Sequence, residues 1–195
     1  MKLYLTPAAC SLADHIALCE AKIAVETVKV DLTTRRMEDG GDFTKINPKG
    51  YVPALELDDG TVLTENAAIL CWVADRAPDL APHGEMGRIR LIEMLSFIAS
   101  EIHKPFIRSF FPIDEKDRET ADRMIATRLA FLEEQLCGDY LFGESYSVAD
   151  AYLYVMLHWA NLTKRQVPAK LAAFFERVHR RPAVQEALRR EGLAQ

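Results

Sequence analysis

Hydrophobic and polar positions follow two different regimes along the chain. Up to about residue 77, short period-two runs alternate with helical spacing. Lys2-Leu3-Tyr4-Leu5 reads as a strand, and Leu12, Ile16 and Cys19 recur at the 3.6-residue period, which predicts a helix over about 11–21. Residues 25–30 alternate, are rich in β-branched side chains, and form a second strand. The polar stretch 33–46 is expected to be partly helical, with a break at Gly40-Gly41. Ala54-Leu55-Glu56-Leu57 and Thr61-Val62-Leu63 flank Asp58-Asp59-Gly60, a β-hairpin signature. Glu65 opens a helix that ends near Arg76, ahead of Pro78. This order predicts a four-stranded mixed sheet with helices on its faces, an α/β unit.

From Glu85 onward no segment reads as a strand. Ile89, Ile92, Leu95, Ile98 and Ile102 form one helical stripe, which Pro105 is expected to kink or end. Ala121, Ile125, Leu129, Leu132 and Leu136 form a second. Ser147 and Asp150 have the spacing of a capping box, with Asp in place of the usual Glu or Gln. The helix they open is apolar nearly all round over 151–160 and must be central. Two shorter helices follow, separated by Pro182. The expected division is therefore a sheet domain over 1–77, a Pro- and Gly-containing linker over 78–86, and an all-helical domain over 87–195.

The 195 residues are about half apolar, enough for a real core, and the net charge of −5 argues against a general nucleic-acid binder. No apolar run reaches the roughly 20 residues of a membrane span, and no signal-peptide pattern is present, so a cytoplasmic location is expected. The four cysteines form no C-x-x-C pair and lie at no zinc-finger spacing to a histidine, so no metal is expected. Scattered cysteines suit a reducing compartment.

Three elements carry candidate chemistry. Cys10-Ser11 sits where the first strand turns into a helix. Unpaired N–H groups and the positive helix end there favour a thiolate, the reactive form of cysteine. The alternative is a small buried hydrophobe. Val52-Pro53 opens the third strand. A cis bond there would turn the Val52 backbone outward for an extended peptide ligand, whereas an ordinary trans proline would be structural only. Thr64-Glu65-Asn66 lies at a helix N-terminus, whose N–H groups suit a carboxylate while Glu65 suits an ammonium. Simple N-capping is the alternative.

Together these segments resemble the cytosolic glutathione S-transferases, most closely the bacterial beta class. The resemblance rests on Pro7-Ala8-Ala9-Cys10-Ser11-Leu12, Asn47-Pro48-Lys49-Gly50, Val52-Pro53-Ala54-Leu55, Leu63-Thr64-Glu65, Glu101-Ile102-His103-Lys104 and Ser147-Val148-Ala149-Asp150-Ala151-Tyr152. It implies a thioredoxin-like N-terminal domain, an all-helical C-terminal domain, a homodimer and glutathione as co-substrate. By the same resemblance, Cys10 faces the glutathione sulfur and can form a mixed disulfide with it. Val52 and Pro53 pair with the cysteinyl unit, and Glu65 and Asn66 hold the γ-glutamyl end. Arg35 lies near the glycyl carboxylate, and His103 and Lys104 face the thiol. Phe106 and Phe110, after Pro105, are assigned to an apolar pocket for a small electrophile, though they equally suit an interdomain core.

The implied activity is attack of glutathione on electrophiles, thiol–disulfide exchange through Cys10, or both. A non-catalytic interaction protein and a glutathione-dependent isomerase or dehalogenase are the alternatives. Three departures from the family pattern bear on this. Leu5 stands where a tyrosine is frequent, with Tyr4 one residue early and so on the opposite face. Asn66 replaces the more usual serine, and Ser96 stands where some relatives have an asparagine. His15 is expected to pack or cap, and His158 to be a satisfied core residue. His83, His179, Lys164-Arg165 and Arg180-Arg181 are expected at the surface.

Overall fold

The computed structural model describes residues 1–194. Strand β1 (Lys2–Leu5) leads into helix α1 (Leu12–Glu20), followed by β2 (Glu26–Asp31), β3 (Arg36–Met37), β4 (Ala54–Glu56), β5 (Val62–Thr64) and α2 (Asn66–Arg76). The strands form one mixed sheet in the order β3-β2-β1-β4-β5. Central β1 pairs parallel with β2, Leu3 opposite Thr27, and antiparallel with β4, Leu3 opposite Leu55.

The sheet has five strands where the pattern predicts four. The 33–46 stretch supplies β3 and only a short 3-10 turn, Phe43–Lys45. Asp31 Oδ1 accepts from the N–H groups of Thr33 (2.8 Å) and Thr34 (3.3 Å), and Arg35 adopts φ 56°. These contacts reverse the chain into an antiparallel edge, and none of them leaves a periodic signal. Period two holds on β1. Leu3 and Leu5 enter the main core, while Tyr4 packs on Phe43 across the sheet and donates to Glu56 at 2.6 Å.

The helical part comprises α3 (Gly87–Phe97), α4 (Lys104–Phe110), α5 (Glu115–Gln135), α6 (Val148–Leu162), α7 (Ala169–His179) and α8 (Pro182–Glu191). A π-helical turn, Ile98–His103, joins α3 to α4 without a break. Pro105 does not end the run; it stands just after the π-helical turn, an irregularity of the kind that accommodates a proline within a continuous helix. The expected stripe on α3 is also corrected. Leu91, Leu95, Ile98 and Ile102 are buried, whereas Ile89 and Ile92 are exposed.

The α5 stripe is buried as its spacing requires. The capping box is present, with the Ser147 N–H donating to Asp150 Oδ2 at 2.7 Å. Helix α6 is buried along most of its length and forms the centre of the helical layer. Two arginines expected at the surface are tied down instead. Arg181 makes paired bonds to Glu20 (2.5 and 2.9 Å) and lies 4.0 Å from the Tyr146 ring centre, and Arg165 bridges Ser109 and Asp122. No helix is long and apolar enough to cross a membrane.

Candidate active site

The loop between β1 and α1 is built from its own hydrogen bonds. Ala9 N–H donates to Thr6 O, and the Ser11 hydroxyl donates to Thr6 O while accepting from Thr6 N–H, both at 3.3 Å. The Ser11 side chain is fully buried and committed to this loop. Ala8, at φ 61°, turns its peptide groups toward the helical layer. Its carbonyl accepts from Trp159 Nε1 at 2.8 Å, and its N–H donates to Glu191 Oε2 at 3.1 Å. The other Glu191 oxygen lies 2.9 Å from His15 Nδ1, both side chains being fully buried. Helices α6 and α8 thus grip the loop that presents Cys10.

Cys10 faces a cavity of about 590 Å³ between the sheet and the helices. Pro7, Val52, Pro53, Glu65 and Asn66 line it on the sheet side, and His103, Lys104, Ile107, Phe110, Tyr152 and Trp159 on the helical side. The Val52–Pro53 peptide is cis, and the Cys10 thiol donates to Val52 O at 3.6 Å. Glu65 caps α2 at φ 73°, and its Oε1 accepts from Lys49 Nζ (2.6 Å) and Tyr51 OH (2.9 Å). The Lys49 ammonium holds the Glu65 carboxyl below its usual range, so it is an anion at neutrality.

The expectation of a Cys10 thiolate is corrected. Burial, followed by the charge of Asp14, pushes the thiol up to about 12, outweighing the opposing N–H groups of Cys10 and Ser11. Desolvation and helix-end stabilisation act in opposite directions, and here desolvation is the larger. His103 is likewise shifted. Burial and the adjacent Lys104 bring it down to about 4, so its ring is neutral, and Nδ1 lies 2.7 Å from Tyr152 OH. Burial raises the Tyr152 phenol, which stays protonated. The phenol both donates and accepts, so which group gives the proton in this bond follows the imidazole tautomer.

Cys10, Val52, Pro53, Glu65, Asn66, His103, Lys104 and Phe110 all meet at the cavity. Two expected residues do not line it. Phe106 is fully buried and packs against Phe110 and Trp159, because α4 turns it into the core. Arg35 is exposed and its side chain lies against Gly50. Asn66 reaches the site differently from the expected ligand contact. Its amide nitrogen donates inward, to Cys10 O and Asp14 Oδ2, both at 2.8 Å.

Trp159, Tyr152, Glu191 and Asp14 are site residues that the sequence alone does not single out. Trp159 and Glu191 lie 151 and 183 positions from Ala8, so no local pattern connects them. Asp14 does carry a signal: it stands four residues after Cys10, in the first turn of α1.

Two family models divide the chain. The glutathione S-transferase N-terminal domain matches residues 9–76, and the glutathione S-transferase C-terminal domain matches residues 100–191. The chain belongs to the glutathione S-transferase family. The transferase is 43% identical to glutathione S-transferase GstA of Escherichia coli O157:H7, over 99% of this chain and all of that one. Its fold matches a sphingomonad glutathione S-transferase solved with glutathione at TM-score 0.93 and 47% identity, each chain covered completely. A beta class enzyme from Sphingomonas chungbukensis matches at TM-score 0.92 and 46% identity, again over the whole of both chains. The architecture is thus a thioredoxin-like sheet domain followed by a helical domain. Among the described residues, no group of three or more His, Cys, Asp or Glu side chains is placed to hold a metal.

Proposed function

We propose that this transferase binds glutathione in extended form along the sheet side of the cavity and directs its thiolate at an apolar electrophile held on the helical side. The γ-glutamyl ammonium would lie at the Glu65 carboxylate, its carboxylate at the N–H groups opening α2, and the cysteinyl unit along Val52. The sulfur then sits beside the Cys10 thiol and His103. Both are neutral there, so each offers a hydrogen to an anionic sulfur. Lys104, also on the wall, supplies the positive charge that a thiolate needs.

The observation that carries this reading is the two-sided cavity. One wall has an anion, a helix start and a thiol in the order of a γ-glutamyl-cysteinyl chain. The other has Ile107, Phe110, Phe111 and Trp159, an apolar and aromatic surface suited to a planar or hydrophobic electrophile. Pairing of the exposed Ile89 and Ile92 face of α3, with Met86 just before the helix, with a second copy is the corresponding dimer reading. We take residues 1–77 and 87–195 as the two domains, 78–86 as the linker, and the cytoplasm as the place of work.

Calorimetric titration with glutathione, followed by turnover of an aryl halide, tests the reading. Saturable binding with conjugate formation is expected, together with a glutathione KM at least about tenfold higher in Glu65→Gln, which removes the anion. No binding would overturn it. Binding without turnover on several electrophiles would favour a non-catalytic interaction protein.

A further inference from the structure

His103 is the last residue of the π-helical turn Ile98–His103, an irregularity of the kind that recurs at functional sites. Two aromatic rings of α6 meet its imidazole edge-on. The Trp159 ring centre lies 5.2 Å away with the planes at 62°, and that of Tyr152 lies 5.8 Å away at 79°. Nδ1 is 2.7 Å from the Tyr152 hydroxyl. Nε2 has no hydrogen-bond partner among the described residues and is not sealed from solvent. Both side chains line the cavity that Cys10 faces.

We propose that Tyr152 is a positioning residue: its hydroxyl donates to His103 Nδ1 and so holds the imidazole with its proton on Nε2, the form that can hydrogen-bond the glutathione sulfur. This inference rests on the glutathione reading above.

Hydrogen accounting separates the two tautomers. A phenol has one proton to give, and a neutral imidazole has one donor and one acceptor nitrogen. Tyr152 is 1% exposed, and His103 Nδ1 is the one hydrogen-bond partner of its hydroxyl among the described residues. With the ring proton on Nδ1, that N–H would donate to the phenol oxygen, and the phenol proton would be left buried with no acceptor. An unpaired buried donor is costly. With the phenol donating, its proton is paired, and the ring proton sits on the nitrogen that solvent or a ligand can reach.

The tautomer decides the sign of the interaction at the sulfur. An Nε2–H presents a hydrogen to a thiolate, whereas the other tautomer presents a lone pair and repels it. The phenol's bond polarises the ring, so the two hydrogen bonds reinforce one another. The arrangement needs no charge on the imidazole and transfers no proton. Tyr152 acts on the sulfur only through His103.

The test has a spectroscopic arm and a kinetic arm. Long-range proton–nitrogen correlation spectra of the full chain with isotope-labelled histidine report the tautomer of each ring, and His103 is assigned by its absence in His103→Asn. The wild type is expected to carry the His103 proton on Nε2. Tyr152→Phe keeps the ring and loses the hydroxyl, so His103 should shift toward a mixture of tautomers. In that variant kcat for conjugation should fall by about tenfold, the weight of one oriented hydrogen bond, with glutathione KM within about twofold. In a His103→Asn background the same change should have no further effect, because the two residues act as one unit. A wild-type ring protonated on Nδ1 would overturn the proposal without any variant. A Tyr152→Phe effect undiminished in the His103→Asn background would overturn it as well. The spectra need no glutathione, so failure of the wild type to bind glutathione by calorimetry would instead sink the glutathione reading.

Discussion

The fully buried Glu191 carboxylate near the end of α8 lies 2.9 Å from His15 Nδ1 on α1 and also accepts the Ala8 N–H. One side chain therefore joins the last helix, the first helix and the loop that presents Cys10. Removing it strands a charged imidazole and an amide in the core. Glu191→Ala is expected to lower stability by about 3–5 kcal/mol in urea unfolding. Glu191→Gln, which keeps an oxygen for the Ala8 N–H, should cost less.

The same pair sets a pH dependence of stability. Burial pulls His15 down, but its neighbours Cys19 and Glu191 outweigh it and push it up to about 9. Nε2 has no hydrogen-bond partner, so the geometry gives Glu191 the main share. A raised histidine contributes stability that is complete below its unfolded value near 6.5 and is lost as pH rises through about 9. The loss is on the order of 3 kcal/mol. Urea midpoints should therefore fall between pH 6.5 and 9.5, with a flatter profile in Glu191→Gln.

Trp159 holds the other backbone polar group of Ala8, its carbonyl. Trp159→Phe retains an aromatic ring against Phe110 and His103 but leaves the Ala8 carbonyl without its donor. A cost of about 1–3 kcal/mol is expected in thermal or urea unfolding. Turnover should fall at fixed glutathione saturation, because the loop carrying Cys10 loosens.

His103 is neutral across the working range, since its pKa lies near 4. The pH profile of kcat should therefore show no inflection between about 5.5 and 7.5 attributable to a histidine. A protonation limb near 6.5 that disappears in His103→Asn would contradict the neutral assignment.

The two walls of the cavity should separate kinetically. Phe110→Ala is expected to raise KM for an aryl electrophile by about tenfold, the worth of a partly buried aromatic contact, and to leave glutathione KM within about twofold. Equal movement of both constants would mean that Phe110 supports the whole cleft.

Much of the fold was legible because its determinants are local. The hairpin at Asp58-Asp59-Gly60, the Ser147–Asp150 capping box and the apolar 151–160 run each depend on residues within a few positions of one another. Strand β3 was not legible, since Asp31 and Arg35 reverse the chain through side-chain and backbone contacts that have no period. The fate of Ile89 and Ile92 was hidden for a related reason. Helical spacing marks a face as apolar but does not say whether another element covers it.

The candidate site divides in the same way. Cys10, Val52-Pro53 and Glu65-Asn66 are readable from residue order as a strand end, a strand start and a helix start, because turn and cap chemistry is written in adjacent residues. The state of Cys10 is set by packing. Its proton is held by the depth of the site and by Asp14, and its loop is fixed by Trp159 and Glu191, which are remote in sequence. Helix-end electrostatics can be read from order along the chain. Desolvation depends on which distant side chains close over a group, and that is set only when the helices pack.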